Sequence, residues 1–197
     1  MPTIDELYWE NRYKQSKTGW DIGEISLPLK TYFDQLTNKN IKILIPGCGN
    51  AYEAKYLLDH GFTNVHLIDI SETLIQRLKL DLSQWIQLGH CSITKINFFD
   101  FSGSFDLIIE QTFFCAISPE QREQYVIKSN SLLAPKGKIV GLLFNHLFEE
   151  NGPPFGGTYS EYRKLFEPKF YINNLNECYN SIAPRKGKEL FFNFAKK

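Results

Sequence analysis

The stretch ILIPGCGNAYEAKYLLDHGFTNVHLIDIS, from Ile43 to Ser71, determines the expected fold of this chain. Its pattern predicts a buried strand, a tight turn with Gly47 and Gly49, a helix, and a second strand that ends at Asp69. Glycine in such a turn lets backbone N–H groups approach a ligand, because no β-carbon stands in the way. The stretch therefore predicts the nucleotide-binding half of an α/β fold.

The rest of the chain continues this alternation of strands and helices. Apolar runs predict five parallel strands, at Ile41 to Pro46, Val65 to Asp69, Ile93 to Asn97, Phe105 to Glu110 and Lys138 to Phe144. Two further strands, Lys169 to Leu175 and Glu189 to Ala195, leave no room for a crossover helix and should pair antiparallel. We expect an α/β fold with a doubly wound, seven-stranded, mostly parallel sheet and a C-terminal antiparallel hairpin.

Cap residues predict where the first two helices of this alternation begin and end. Asn50 and Glu53 have the spacing of a capping box at the start of the first helix, which Gly61 should end. Ser71 should cap the second helix, whose apolar residues recur at helical spacing.

Proline and glycine mark the boundaries farther along the chain. Ser118 to Gln121 should start a helix, with proline at its first position, and Pro135 and Gly137 should end it. The Gly/Pro-rich segment Asn151 to Thr158 follows the fifth strand. It should form a loop at the carboxyl edge of the sheet, where open α/β sheets bind their ligands.

Composition restricts the class of function. The 197 residues, 43% of them hydrophobic, suit one domain, and the balance of 22 basic against 22 acidic residues gives no field that would attract nucleic acid. No segment approaches the roughly 20 apolar residues of a membrane helix, and the N-terminus is polar and acidic. We therefore expect a cytoplasmic monomer with no nucleic-acid or membrane partner.

The cysteines and histidines are scattered. Neither set has the spacing of a zinc site or a disulfide scaffold, so we expect reduced, packed thiols and no metal. They are Cys48, Cys91, Cys115, Cys178, His60, His66, His90 and His146.

The residues around the glycine turn favour one nucleotide over another. The third glycine of the dinucleotide motif is missing, and Tyr52 would crowd a pyrophosphate, which argues against NAD. Asp69, placed 22 positions after Gly47, can accept hydrogen bonds from both ribose hydroxyls of an adenosine. A nucleoside without a diphosphate points to S-adenosylmethionine, although an NAD dehydrogenase stays open as a weaker alternative.

Five blocks along the chain carry a more specific likeness. The sequence resembles the thiopurine S-methyltransferase superfamily, a group of class I S-adenosylmethionine-dependent methyltransferases, and within it the halide and thiol methyltransferase branch. The blocks, in the family's order, are YWENRYKQSKTGWDIGEISLP (8–28), LIPGCGNAYEA (44–54), LIDIS (67–71), FDLIIEQTFFCAISPEQR (105–122) and PRKGKE (184–189).

The resemblance implies a set of cofactor residues. An N-terminal lid (1–34) would close over a Rossmann-like core (41–197), the two forming one methyltransferase domain. Tyr13 stands where the plant enzymes have a third tryptophan, and Gln111 where relatives carry Tyr or Arg. The implied cofactor residues are Trp9, Tyr13, Trp20, Gly47, Gly49, Asp69, Ile70, Asp100, Phe101 and Gln111.

The resemblance also implies an acceptor site with Arg185 and Phe114, with Phe113 as a further apolar wall and Gly152 to Pro154 as a covering loop. We expect S-adenosylmethionine-dependent methyl transfer to a small soft nucleophile: a thiol, hydrosulfide, halide or thiopurine-like sulfur. An anionic nucleophile demands no general base, and we assign none. Two alternatives stay open, an O- or N-methyltransferase of a small metabolite and a cofactor-binding protein without turnover.

Overall fold

The computed structural model describes residues 4–149 and 152–197. The chain divides into two compact units, residues 1–101 and 102–197.

The first unit contains three parallel strands and the helices that flank them. Its elements are α1 (Glu6–Lys14), α2 (Leu27–Phe33), β1 (Ile43–Pro46), α3 (Tyr52–Asp59), β2 (Val65–Asp69), α4 (Glu72–Asp81), α5 (Ser83–Gln87) and β3 (Cys91–Lys95). Pro46 pairs with Ile68, and Asp69 pairs with Lys95. The carboxyl ends of the three strands therefore lie together, which places the glycine turn and Asp69 at one edge.

The second unit contains four strands and two α-helices among the residues that the structure describes. Its elements are β4 (Phe105–Glu110), α6 (Arg122–Leu132), β5 (Leu133–Phe144), α7 (Tyr159–Phe166), β6 (Phe170–Glu177) and β7 (Glu189–Lys196). β4 and β5 are parallel, whereas β7 pairs antiparallel with both β5 and β6. The strand order is β3-β2-β1-β4-β5-β7-β6. The seven-stranded, mostly parallel sheet and its C-terminal antiparallel hairpin are thus confirmed.

Gly141 allows β4 and β5 to approach each other closely. It lies opposite Glu110 in the parallel register, where a β-carbon would overlap the Glu110 carbonyl oxygen. Glycine is needed at this position because neither backbone can retreat without breaking the strand pairing.

The predicted start of one helix and the predicted end of another are wrong. The first helix has Ala51 as its N-cap, in the left-handed region at φ 57°, and no side chain caps it. The Glu53 carboxylate instead accepts a hydrogen bond from the Ser26 N–H at 3.2 Å. Farther along, Pro135 and Gly137 lie inside β5 and do not end α6, which stops at Leu132.

Other predicted boundaries lie near those observed. Ser71 caps α4 as predicted, because its hydroxyl accepts a hydrogen bond from the Leu74 N–H. The helix expected at Ser118 begins as a 3-10 turn, Pro119–Gln121, which α6 continues. The third strand starts two residues earlier than predicted, at Cys91.

The four cysteines are free and buried, as expected of packed thiols. None of the helices in the described ranges is long and apolar enough to span a bilayer.

Candidate active site

The glycine turn after β1 has an unusual backbone. Gly47 and Gly49 have φ of 54° and 52°, and Ala51 continues in the same left-handed region. Glycine adopts these angles without strain, whereas other L-residues do so at a cost. The Tyr13 hydroxyl lies 3.7 Å from the point that a Gly49 β-carbon would occupy. The turn is therefore in contact with the N-terminal aromatic segment.

Asp69 ends β2 beside this turn. Its carboxylate accepts hydrogen bonds from the Ser71 N–H at 3.0 Å and the Gly49 N–H at 3.4 Å. Burial raises the pKa of Asp69 from its ordinary 3.8 to about 6, against the opposing effect of these N–H donors. At neutral pH the group is an ionised, buried acceptor, suited to ligand hydroxyls.

The three aromatic residues predicted for the lid come together. The Trp9 and Trp20 rings meet edge to face at 5.5 Å, and Tyr13 meets Trp20 at 5.9 Å. Tyr8, which the sequence did not single out, adds a fourth ring 5.0 Å from Trp9. Burial and the nearby charge of Asp69 raise the pKa of Tyr13, so its hydroxyl remains a hydrogen-bond donor.

Glu10 fastens α1 to the start of α4. Its carboxylate accepts hydrogen bonds from the Ser71 hydroxyl at 2.7 Å, the Thr73 N–H at 3.1 Å and the Thr73 hydroxyl at 2.6 Å. Burial opposes ionisation, but these hydrogen bonds outweigh it and lower the pKa of Glu10 to about 2. A carboxylate also suits the positive end of the α4 dipole. The contact fixes Trp9 and Tyr13 relative to Asp69.

Asp21 fastens the segment that carries Trp20. Its carboxylate accepts hydrogen bonds from the Asn50 side-chain amide and, at 3.3 Å, from the Tyr52 hydroxyl. Asn50 also accepts from Arg77. Asn50 and Tyr52 thus connect the glycine turn to the aromatic segment.

Two other predicted cofactor residues, Asp100 and Phe101, follow β3 in the same unit. Asp100 is exposed and Phe101 half-buried, and the Phe101 N–H donates to the Phe98 carbonyl at 3.3 Å. Ile70 lies directly after β2, next to Asp69.

In the second unit, the turn after β4 contains Gln111. Thr112 has φ of 59°, a left-handed conformation that is strained in a β-branched residue. The side-chain carbonyl oxygen of Gln111 is buried and has no hydrogen-bond partner within residues 4–149 and 152–197. A buried acceptor without a donor is costly, and a ligand donor would satisfy it.

Glu110 is a functional candidate that our reading of the sequence missed. It is buried, and it accepts hydrogen bonds from the N–H groups of Phe113 and Phe114 and from the Tyr125 hydroxyl, at 2.8 to 2.9 Å. Burial raises the pKa of Glu110 from 4.5 to about 7. The sequence does contain a signal for this residue, because Glu110 is an acidic residue at the end of the apolar run that forms β4.

Arg185, which the resemblance assigns to the acceptor site, is mostly buried. Its side chain is 13% exposed, 3.4 Å from the buried Glu189 carboxylate, and its guanidinium lies 5.5 Å from the centroid of the Phe144 ring. The cation and the carboxylate largely balance each other. An incoming anion would therefore interact with a paired arginine.

Phe114 is a core residue. It is 1% exposed and packs against Tyr125 and Phe166, and the Arg122 guanidinium lies 4.8 Å from its ring centroid. Phe113 is half-buried and has more surface to offer a ligand.

The Gly/Pro-rich segment Asn151 to Thr158, which includes the predicted covering loop Gly152 to Pro154, begins at a residue outside the described ranges. Residues 1–3 of the lid segment also lie outside them. From Gly152 onward, the loop makes hydrogen bonds with other residues of the second unit. The Phe155 N–H donates to the Cys115 carbonyl at 2.7 Å, and Arg122 donates to the Gly156 carbonyl at 2.8 Å.

Comparisons with known proteins agree with this geometry. The family model for thiopurine S-methyltransferase matches residues 4–195. The chain is 29% identical to a probable thiol methyltransferase 2 of Arabidopsis thaliana, over 92% of this chain and 81% of the relative. It is also 29% identical to thiocyanate methyltransferase 1 of Brassica oleracea, over 95% and 84%.

Among solved structures, the fold resembles a Burkholderia thailandensis 1,6-didemethyltoxoflavin-N1-methyltransferase crystallised with S-adenosylhomocysteine. The TM-score is 0.77 at 16% identity, over 98% of this chain and 88% of the other. At this identity the likeness establishes the fold.

Proposed function

Because the chain belongs to the thiopurine S-methyltransferase family, we propose that it transfers a methyl group from S-adenosylmethionine to a small soft nucleophile. The acceptor would be a thiol, hydrosulfide, halide or thiopurine-like sulfur. The observation that carries the proposal is the cluster of Trp9, Tyr13 and Trp20, fastened beside the glycine turn and Asp69. The two plant relatives are named for thiol and thiocyanate acceptors, which supports the same chemistry.

S-adenosylmethionine, when bound, supplies an electrophilic methyl group on a sulfonium, a cation that has no hydrogen-bond donor at its centre. Aromatic faces stabilise such a cation by roughly 0.5 to 2 kcal/mol each. We assign this role to Trp9, Tyr13 and Trp20, which would also exclude water from the reacting centre. Asp69, ionised at neutral pH, would accept hydrogen bonds from the ribose hydroxyls.

The remaining cofactor contacts follow from the donors and acceptors present. Gln111, whose side-chain carbonyl oxygen has no hydrogen-bond partner among the described residues, would accept a hydrogen bond from the cofactor's amino group. This contact would replace the one that the resemblance assigns to Tyr or Arg in relatives. Asp100 and Phe101 would hold the adenine. The backbone at Gly47, Gly49 and Ile70 would bind the remaining parts of the cofactor.

For the acceptor, we propose that Arg185 provides the positive charge and Phe113 provides apolar surface, whereas Phe114, which is buried, would act only by supporting the turn that carries Phe113. Methyl transfer is an in-line displacement, so the protein mainly positions the two reactants, an effect that can be worth about 7 to 11 kcal/mol. A halide or thiolate is already anionic and needs no base. We further propose that both units form one domain, acting as a cytoplasmic monomer with residues 1–34 as the lid.

The test is S-adenosylhomocysteine formation by the purified chain with iodide, thiocyanate, hydrosulfide, a small thiol, a thiopurine, and oxygen and nitrogen acceptors. We expect turnover with the sulfur and halide acceptors. Turnover confined to oxygen or nitrogen acceptors would contradict the proposal, as would cofactor binding without any product.

Arg185 is tested in the same assay. Arg185→Gln should raise KM for anionic acceptors, and the double variant Arg185→Gln/Glu189→Gln avoids leaving a buried carboxylate unpaired. Lys186→Gln, an exposed cation in the same loop, is the matched control. Equal KM values in all variants would remove Arg185 from the acceptor site.

A further inference from the structure

His146 lies just after the carboxyl end of β5. The side chain is half-buried, and its Nδ1 is buried without a hydrogen-bond partner among residues 4–149 and 152–197. A neutral imidazole has one N–H donor and one bare lone pair. In the tautomer that carries its proton on Nε2, the Nδ1 lone pair can therefore accept a proton.

The surroundings of His146 belong to the predicted acceptor side. Its ring is 4.2 Å from the Phe148 ring and meets the Phe144 ring edge to face at 5.5 Å. Phe144 is also the ring that the Arg185 guanidinium contacts. His146 and Arg185 thus share one aromatic neighbour, the Phe144 ring.

Backbone contacts hold His146 against the part of the Gly/Pro-rich segment that contains Gly156 and Gly157. Its carbonyl accepts a hydrogen bond from the Gly157 N–H at 3.1 Å, and a β-carbon on Gly156 would overlap that carbonyl. The loop can therefore approach His146 this closely only because it has glycine there.

The neighbouring elements carry four charged or titratable groups near this site. The Arg185 guanidinium lies over the Phe144 ring, and Glu189 is the β7 residue that pairs with Phe144 in the sheet. Arg122 of α6 binds the loop at Gly156, and Tyr162 of α7 donates to the Phe144 carbonyl at 2.7 Å.

We propose that His146 is the general base that deprotonates neutral thiol acceptors, while Arg185 holds the thiolate that forms. This inference rests on the proposed function and extends it to acceptors that reach the site protonated. The Nδ1 lone pair takes the S–H proton, and the freed sulfur lone pair forms the new S–C bond. The methyl–sulfonium bond breaks, its electron pair stays on the cofactor sulfur, and the half-exposed imidazolium releases its proton to water.

The experiment compares two thiols that differ in the need for a base, and it scores each variant against wild type with the same thiol. One is an aliphatic thiol, largely protonated at pH 7, and the other is an aromatic thiol that is fully ionised at pH 7. For His146→Asn, we expect kcat/KM at pH 7 to fall about 100-fold with the aliphatic thiol, the usual size of a general-base effect. With the ionised thiol it should stay within about twofold of wild type. The deficit should shrink as pH rises through the pKa of the aliphatic thiol.

The control is His60→Asn, an exposed histidine at the end of α3, which should behave as wild type with both thiols. Equal losses with both thiols would assign His146 a purely structural role, and no loss with either would remove it from catalysis. Failure of the proposed function would look different, because the wild type itself would then methylate neither thiol.

Discussion

Replacing Glu110 with glutamine should change how stability depends on pH. The buried carboxyl has a pKa raised from 4.5 to about 7, so the folded state binds its proton more tightly than the unfolded chain does. Its contribution to stability is complete below about pH 4.5 and is lost as pH rises through about 7. At about 1.4 kcal/mol per pH unit, the complete loss between about pH 4.5 and pH 7 is about 3 to 4 kcal/mol. Between pH 5 and pH 8, it should amount to about 2 to 3 kcal/mol.

Glu110→Gln removes this titration and keeps most of the hydrogen bonds. The glutamine carbonyl can accept from the N–H groups of Phe113 and Phe114, and its amide can donate to the Tyr125 hydroxyl. Urea unfolding at pH 5, 6, 7 and 8 should show the variant gaining stability over wild type as pH rises. Glu177→Gln, at an exposed position, should keep the wild-type slope. Parallel pH curves for wild type and Glu110→Gln would refute the reasoning.

Three further outcomes follow from the same contacts. Asp69→Ala should weaken S-adenosylhomocysteine binding at least tenfold in calorimetry, because charge-assisted hydrogen bonds of roughly 1.5 to 3 kcal/mol are lost; unchanged affinity would remove Asp69 from the ribose site. Gly141→Ala should lower the free energy of unfolding by about 1 to 3 kcal/mol, since its β-carbon overlaps the β4 backbone; an unchanged urea midpoint would contradict that close approach. Glu10→Gln should loosen α1, seen as faster proteolysis of the N-terminal segment, and should remove a stabilisation that wild type loses as pH falls from 4.5 towards 2; wild-type cleavage rates would argue against this anchor.

The sheet was predictable from sequence because apolar runs, glycine turns and the lack of a crossover before β7 each limit the topology. Pro135 and Gly137 misled the prediction of the end of α6. They lie where the pairing of β4 and β5 shifts register between Phe105 and Leu107, and where Lys136 has φ of 67°. Proline and glycine at this point mark an irregularity within the strand, and such an irregularity depends on the partner strand.

The candidate functional residues were predictable to a different extent in the two units. The aromatic and acidic residues of the first unit could be named because their types and spacing follow a family pattern. The Gln111 oxygen and the His146 nitrogen, which have no hydrogen-bond partner in the part of the chain that the structure describes, could not be identified, because an unsatisfied buried atom exists only once the neighbouring elements are packed. Glu110 likewise gains its raised pKa from burial, which the sequence does not display.

The most direct test of the account is to follow the methyl group itself. The chain is given S-adenosylmethionine with an isotopically labelled methyl group and an equimolar mixture of a small thiol, an amine and an alcohol, and the labelled products are identified by mass spectrometry. We expect to recover the label in the S-methyl product, because the proposed acceptor is a sulfur nucleophile. Recovery of the label in the N-methyl or O-methyl product would contradict this expectation.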